Sequence, residues 1–277
     1  MRLKLPFLIG FIIISSSVVF SQGAYNYMDE QKDTTRFFIG VNLGGFFANK
    51  KSAEVYSGSP NVTNFSIPTI LNNQFYKPTF DQYFGPSPYK VEEYPFDIKY
   101  RPAFEIGLHT GYNINSKIAL FLDFNIAQLD VEQFFTIAID DPTNQIVGPT
   151  LEQYALFGEE NRLNLNLGAQ LNFYEGENSK AYLSLFFNMN DVDMRRNYIV
   201  INETQYEIFH INDEQPDLRL GGIGIGGGAG LGYRFHASSN VLADLFYNMI
   251  YTKTNLSENY QYYNAQHSLG IRVLLAK

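Results

Sequence analysis

The sequence predicts an all-β fold: a transmembrane, antiparallel up-and-down β-barrel of eight strands, with ten as the alternative count. Three observations lead there. Apolar residues alternate with small or polar ones at period two in one segment after another. The links between segments alternate between short polar turns and long loops, as in barrels with short turns on one rim only. After the N-terminal leader no stretch has 18 consecutive apolar residues, so a spanning helix has no candidate. A closed barrel is the other way to satisfy every backbone group inside a bilayer.

The chain opens with "MRLKLPFLIGFIIISSSVVFSQ". Arg2 and Lys4 precede an apolar run from Leu5 to Ile14, and small and polar residues follow, which is the layout of a secretory leader. Val19 and Ser21 meet the small-residue requirement and place cleavage after Ser21. The expected organisation is a leader over 1–21, a periplasmic segment over 22–34, and the barrel over 35–277. Losing Arg2 and Lys4 takes the formal charge from −8 to −10. An acidic exported chain lacks the basic surplus that displaces counterions from phosphates, so nucleic acid is not an expected partner. With no Cys, disulfides, thiol chemistry, Cys-ligated metals and a lipid-modified N-terminal Cys are excluded.

The strands follow in order. In "FFIGVNLGGFF", Phe37, Ile39, Val41, Leu43 and Phe47 share one face. In "PAFEIGLHTGYNI", Phe104, Ile106, Leu108, Tyr112 and Ile114 alternate with Glu105, Gly107, His109, Gly111 and Asn113. After the turn "NSK", Ile118, Leu120, Leu122, Phe124 and Ile126 continue the apolar face. "RLNLNLGAQLNF" is the clearest strand, with Leu on one side and Arg, Asn, Gly and Gln on the other; a helix would scatter those leucines around its circumference. "AYLSLFFNM", the glycine-rich stretch after residue 220, "VLADLFYNMIY" and "YNAQHSLGIRVLLAK" complete the eight. The remaining links, 48–101, about 131–160, about 192–218 and 252–262, read as long loops. Within the third, "NYIVINETQYEIFHI" reads as a hairpin above the membrane, or as two more spanning strands in the ten-stranded alternative. The polar face is Asn, Gly, Ser and Gln with few Lys or Glu, unlike a solvated surface.

"GGIGIGGGAGLGYRF" superficially contains G-x-G-x-x-G. A dinucleotide fingerprint ends a strand and opens a helix, whereas here the alternation runs on. Gly222, Gly224, Gly226, Gly228, Gly230 and Gly232 form a stripe on the lumen face, opposite Ile223, Ile225, Leu231 and Tyr233. Folding this strand and the next about "HASSN" places Gly230 opposite Phe246 and Gly232 opposite Asp244, within two residues. The stripe then leaves room for Phe246, Phe186 and Tyr182.

The lumen-facing charges are Glu105, His109, Asp123, Arg234, Asp244 and Arg272. In a small barrel they must pair, and the expected pairs are Asp244 with Arg272 and His109 with Asp123. Catalysis is not expected: His267 and Ser268 are adjacent on a strand and so face opposite ways. No cluster has metal-ligand spacing, and no cofactor is expected. The long first loop, 48–101, is rich in aromatic residues, including Tyr76, Tyr83, Phe84 and Tyr89, and so is expected to fold over the barrel mouth or to contact a protein or glycan partner.

The leader ending in Ser-Gln, the Asn- and Tyr-rich strands and the eight-strand pattern resemble the small PorT-like and OmpX/OmpW-like outer-membrane barrels of Bacteroidetes-type bacteria. That resemblance implies an outer-membrane location, lipid as the surrounding medium, and a monomer. The expected role is non-enzymatic: envelope structure, surface interaction or service to a secretion apparatus. The alternatives are a narrow channel for small solutes and, less favoured, a lipid-modifying enzyme.

Overall fold

The computed structural model describes residues 36–61, 66–85, 87–141, 148–176, 178–210, 220–238, 241–257 and 260–276. The leader, its cleavage point and the 22–34 segment lie outside the described residues. Among the described residues ten strands form: β1 (Phe37–Phe47), β2 (Tyr89–Glu93), β3 (Ala103–Asn113), β4 (Ile118–Ile139), β5 (Thr150–Glu175), β6 (Ser179–Ile201), β7 (Thr204–His210), β8 (Gly221–His236), β9 (Val241–Ser257) and β10 (Tyr260–Ala276). Three short α-helices, α1 (Lys50–Ala53), α2 (Ile67–Leu71) and α3 (Lys77–Phe84), stand between β1 and β2.

The antiparallel pairings close a ring of eight, β1–β3–β4–β5–β6–β8–β9–β10 and back to β1. The other two strands attach outside the ring, β2 on the end of β4 and β7 on the end of β6. Of the ten strands eight close the ring, and the two outside it are not the pair of further spanning strands that the ten-stranded alternative expects.

The stagger of the ring can be read from the register. From Ala127 the pairings run through Glu105, Gly44, Gly270, Phe246, Gly232, Tyr182 and Asn172, and meet β4 again at Lys117. The offset is ten residues (127 − 117). Eight strands with that offset tilt by roughly 40° and enclose a space that side chains can fill.

Outward-facing residues form an apolar belt. On β10 it runs from Leu275 through Val273, Ile271 and Leu269 towards Tyr263. At about 3.3 Å per residue and this tilt, ten residues stand roughly 25 Å tall, the height of a bilayer core. Phe37, Tyr112, Phe173, Tyr233 and Phe235 ring one margin, and Phe47, Phe104, Tyr251 and Tyr263 ring the other.

Three of the expected long loops are largely strand. β4 runs to Ile139, β5 begins at Thr150, β6 reaches Ile201, and β9 and β10 leave a short link at 258–259. The cause is an inversion of pattern at the upper edge of the belt. On β4 the outward face passes from the apolar Leu122, Phe124 and Ile126 to Gln128, Asp130 and Glu132. The inward face changes the opposite way, from Asp123 and Asn125 to the buried Leu129, Val131, Phe135, Ile137 and Ile139. Lipid surrounds the lower part and water the upper part, so the apolar face moves from outside to inside where the strand leaves the bilayer.

Above the belt the same sheet continues as a segment ordered β2–β4–β5–β6–β7. The hairpin expected in "NYIVINETQYEIFHI" is the β6–β7 edge of this segment, turning at Asn202 and Glu203, both with positive φ. The helical segments cover it. Ile67, Ile70, Leu71, Phe80 and Phe84 join Ile137, Leu156, Ile199, Ile201, Tyr206 and Ile208 in one apolar core. The described residues of the first loop thus form a cap with a soluble-type interior.

Candidate functional site

The lumen holds two layers of charged side chains. In the lower layer, Arg234 makes a two-pronged contact with Asp244, at 2.8 Å from Nε and 2.9 Å from Nη2. Tyr182 Oη donates to the same carboxylate at 3.0 Å. Arg272 lies 3.7 Å from Asp244 and 3.3 Å from Asp123, and its Nε donates to Asn42 Oδ1 at 2.6 Å. His109 Nδ1 stands 2.5 Å from Asp123 Oδ1, and the ring stacks on Phe38 and is tilted against Phe121. The Arg234 and Arg272 guanidiniums also lie over Phe38 and Phe246. Five of the six predicted lumen charges therefore form one buried network. Arg272 and Asp244 are cross-strand partners, as are His109 and Asp123.

Glu105, the sixth, stands apart. Ser268 Oγ donates to its Oε2 at 2.5 Å, while its buried Oε1 has no partner among the described residues. His267, next along β10, faces outward and its Nδ1 pairs with Tyr247 Oη at 2.8 Å. Ser268 and His267 therefore lie on opposite sides of the barrel wall. Among the described residues no group of three His, Asp or Glu could hold a metal ion.

The upper layer is centred on Arg162 and Glu160. Arg162 Nε donates to Glu160 Oε1 at 2.6 Å, Nη1 to Gln266 Oε1 at 3.0 Å, and Nη2 to Ser52 Oγ at 3.0 Å. Glu160 Oε2 accepts from Tyr56 Oη and Tyr100 Oη, both at 2.9 Å. Ser52, Tyr56 and Tyr100 belong to the first loop, so this cluster ties the cap to the barrel wall. Gly158 leaves the space taken by the Tyr56 ring. Burial, with Glu160 beside them, pushes both phenols well above their ordinary range.

In the sequence pattern Arg162 stands on the polar face of its strand, but nothing there singles it out. The usable signal is the continuation of that face to Glu160, two residues before Arg162 and on the same side of the strand. Ser52, Tyr56 and Tyr100 carry no such signal, because only the folded cap brings them to the mouth.

The glycine stripe lines the lumen. Its register falls within the expected two-residue margin, at its edge: Gly232 faces Phe246, Gly230 faces Asn248, and Arg234 faces Asp244. The pairing of β8 with β6 is continuous from Gly221 to Phe235, but the pairing with β9 slips between Gly222 and Gly226. With only glycine on the lumen face of β8 from Gly222 to Gly232, residues of β6 reach across it to β9. Tyr182 thereby meets Asp244, and Asn190 donates to Thr252 Oγ1 at 2.7 Å. A Cβ on Gly228 would stand 2.5 Å from the Phe186 ring, and one on Gly232 would stand 2.1 Å from Tyr182 Cζ.

The aromatic residues of the first loop divide by exposure. Phe84 is buried in the cap against Tyr89 and Tyr154, which leaves it little surface for a partner. Tyr89 Oη donates to Asp81 Oδ1 at 3.0 Å, beside Lys77. Tyr76 packs edge-on against Tyr206 yet remains exposed, as does Tyr83.

No protein-family model matches the chain, and no curated protein matches it in sequence. Among solved structures the chain is similar to Neisserial surface protein A, at 11% identity over 87% of this chain and 97% of that one, with a TM-score of 0.43. It is similar to Ail, the attachment invasion locus protein of Yersinia pestis, at 10% identity over 87% and 98%, with a TM-score of 0.36. It is also similar to E. coli outer membrane protein W, at 11% identity over 89% and 100%, with a TM-score of 0.33. At these identities the likeness concerns fold alone.

Proposed function

We propose that the chain is an OmpX/OmpW-like outer-membrane barrel of a Gram-negative, Bacteroidetes-type bacterium, exported on a leader cleaved after Ser21. In this reading it is monomeric and non-enzymatic, and it acts through its cap. The cap lies on the long-loop rim, the side that faces the exterior in such barrels. It would serve surface interaction or envelope structure, or assist a secretion apparatus, by contacting a protein or glycan through exposed aromatics such as Tyr76 and Tyr83. The observation that carries this reading is the division of the molecule. The lumen is crossed by two layers of buried charged and polar side chains, whereas the cap packs an apolar core against the strands above the belt and presents a folded surface.

The test has two arms. Reconstituted into planar bilayers, the protein should show no steady conductance; a stable open pore would replace this reading with the narrow-channel one. Affinity purification from intact outer membranes, with the whole chain and with 60–95 replaced by a short linker, should show a partner lost with the cap. Recovery of folded protein in a soluble periplasmic fraction would sink the membrane assignment.

A further inference from the structure

We propose that the two charge layers are seals in series, that the lumen section between them is a hydrated polar chamber, and that the upper seal is a releasable latch held by Tyr56 and Tyr100. The order of the layers can be read along single strands. On β10 the sequence is Gln266, which belongs to the upper cluster, then Ser268 and Gly270, then Arg272, which belongs to the lower one. On β5 it is Arg162, then Asn164 and Asn166, then Gln170, which lies 3.5 Å from Arg234.

The wall of the middle section mixes small and polar positions with the buried apolar side chains of Phe186 and Ile250. Its inward positions include Glu105, Asn164, Asn188, Gly226 and Ser268. This section also holds buried polar atoms with no partner among the described residues: Glu105 Oε1, Asn166 Nδ2, Asn188 Oδ1 and Asn190 Oδ1. Buried atoms of this kind are satisfied by internal water, which collects where several of them converge. The ligand of the chamber is therefore water, or a small solute that can replace it.

The two seals differ in construction. Every member of the lower one, from Asn42 to Arg272, belongs to a wall strand, so it can open only if the barrel deforms. In the upper one, Glu160, Arg162 and Gln266 belong to the wall, but Ser52, Tyr56 and Tyr100 are brought by the cap. Lifting the cap would remove those three and leave the Glu160–Arg162 pair on the wall. The cap is held further out by the apolar core that Ile67, Ile70, Leu71, Phe80 and Phe84 share with the strands above the belt, so what the latch releases is the local contact of Ser52, Tyr56 and Tyr100.

The chain has no Cys, so single cysteines can report water access. Ser268→Cys marks the chamber, Ser184→Cys marks the lower layer, and Gln74→Cys, exposed on the cap, is the labelling control. Each is treated from outside, in reconstituted vesicles, with a small water-soluble thiol reagent, with and without the pair Tyr56→Phe and Tyr100→Phe. Each hydroxyl removed from a carboxylate should shift latch opening by about tenfold. The Cys at 268 should therefore label slowly with the latch intact and at least about tenfold faster without it, while the Cys at 184 stays slow.

Three results would overturn the proposal. Equally fast labelling at 268 in both backgrounds removes the latch. Continued protection at 268 in a latch-free protein removes the chamber. Labelling at 184 together with 268 removes the second seal. Heat-modifiable mobility on gels, together with the Gln74→Cys control, identifies any variant that has not folded. In that event the single change Tyr100→Phe, which leaves Tyr56 in place, is read in the same way.

Discussion

Substituting Gly232 by alanine tests how the lumen is packed. Its Cβ would stand 2.1 Å from Tyr182 Cζ and 2.3 Å from Tyr182 Oη. Ordinary carbon contacts lie near 3.5 Å, so the ring must move by more than about 1 Å. The ring is pinned: Oη donates to Asp244 at 3.0 Å and accepts from Arg272 at 3.3 Å. Overpacking a tight core costs about 1–3 kcal/mol, and losing a hydrogen bond to a charged group costs about 1.5–3 kcal/mol. Together they predict a loss of about 3–5 kcal/mol, a large share of the roughly 5–15 kcal/mol that stabilises a typical domain. The chain has no Trp, so urea unfolding in lipid vesicles is best followed by far-UV circular dichroism and by gel mobility. A double-mutant cycle with Tyr182→Ala separates this mechanism from a general intolerance of β8 to side chains. With the ring gone, Gly232→Ala should cost less than about 1 kcal/mol, leaving a coupling of about 2 kcal/mol or more. Equal costs in the two backgrounds would refute the claim that the glycine makes room for Tyr182.

Two further outcomes follow from the cap. Phe80→Ala, in the middle of the cap core, should cost about 3–5 kcal/mol of local stability. Proteolysis of 48–101 should quicken while the barrel keeps its heat-modifiable mobility; loss of both would mean that cap and barrel form a single cooperative unit. The cap should also loosen in alkali. Burial raises the Tyr56 and Tyr100 phenols above the ordinary value of 10.0. A raised folded-state value gives a contribution that is fully present below about pH 10 and is lost as pH climbs towards the folded-state values. Cap protection against protease should therefore hold to about pH 10 and fall above it, and Tyr56→Phe with Tyr100→Phe should flatten that fall.

Much of the wall is legible in the sequence because its signal is local. Period two appears in any short window of a strand, and one face of each window has to meet lipid. The same periodicity places Glu105, His109, Asp123, Arg234, Asp244 and Arg272 inside, together with the even-numbered glycines from Gly222 to Gly232. The strands above the belt escape it because their apolar face changes sides: Leu129 and Val131 continue the run of Ile126 by neighbourhood but not by phase. The sequence sets the β8–β9 register only to within two residues, because a shift of two leaves every side chain on its own face and so is hard to see in a pattern.

By itself the sequence determined the alternation, the polarity of each face, the short turns and the glycine-lined stripe, since each is set by residues close together in the chain. Only the tertiary structure decided which charges meet and what closes the mouth. Arg162 reaches Gln266 and Ser52 across separations of 104 and 110 residues. Those contacts depend on the ten-residue stagger of the closed ring and on a cap folding over it. Ring closure is a property of all eight strands together, so no single window of sequence contains it.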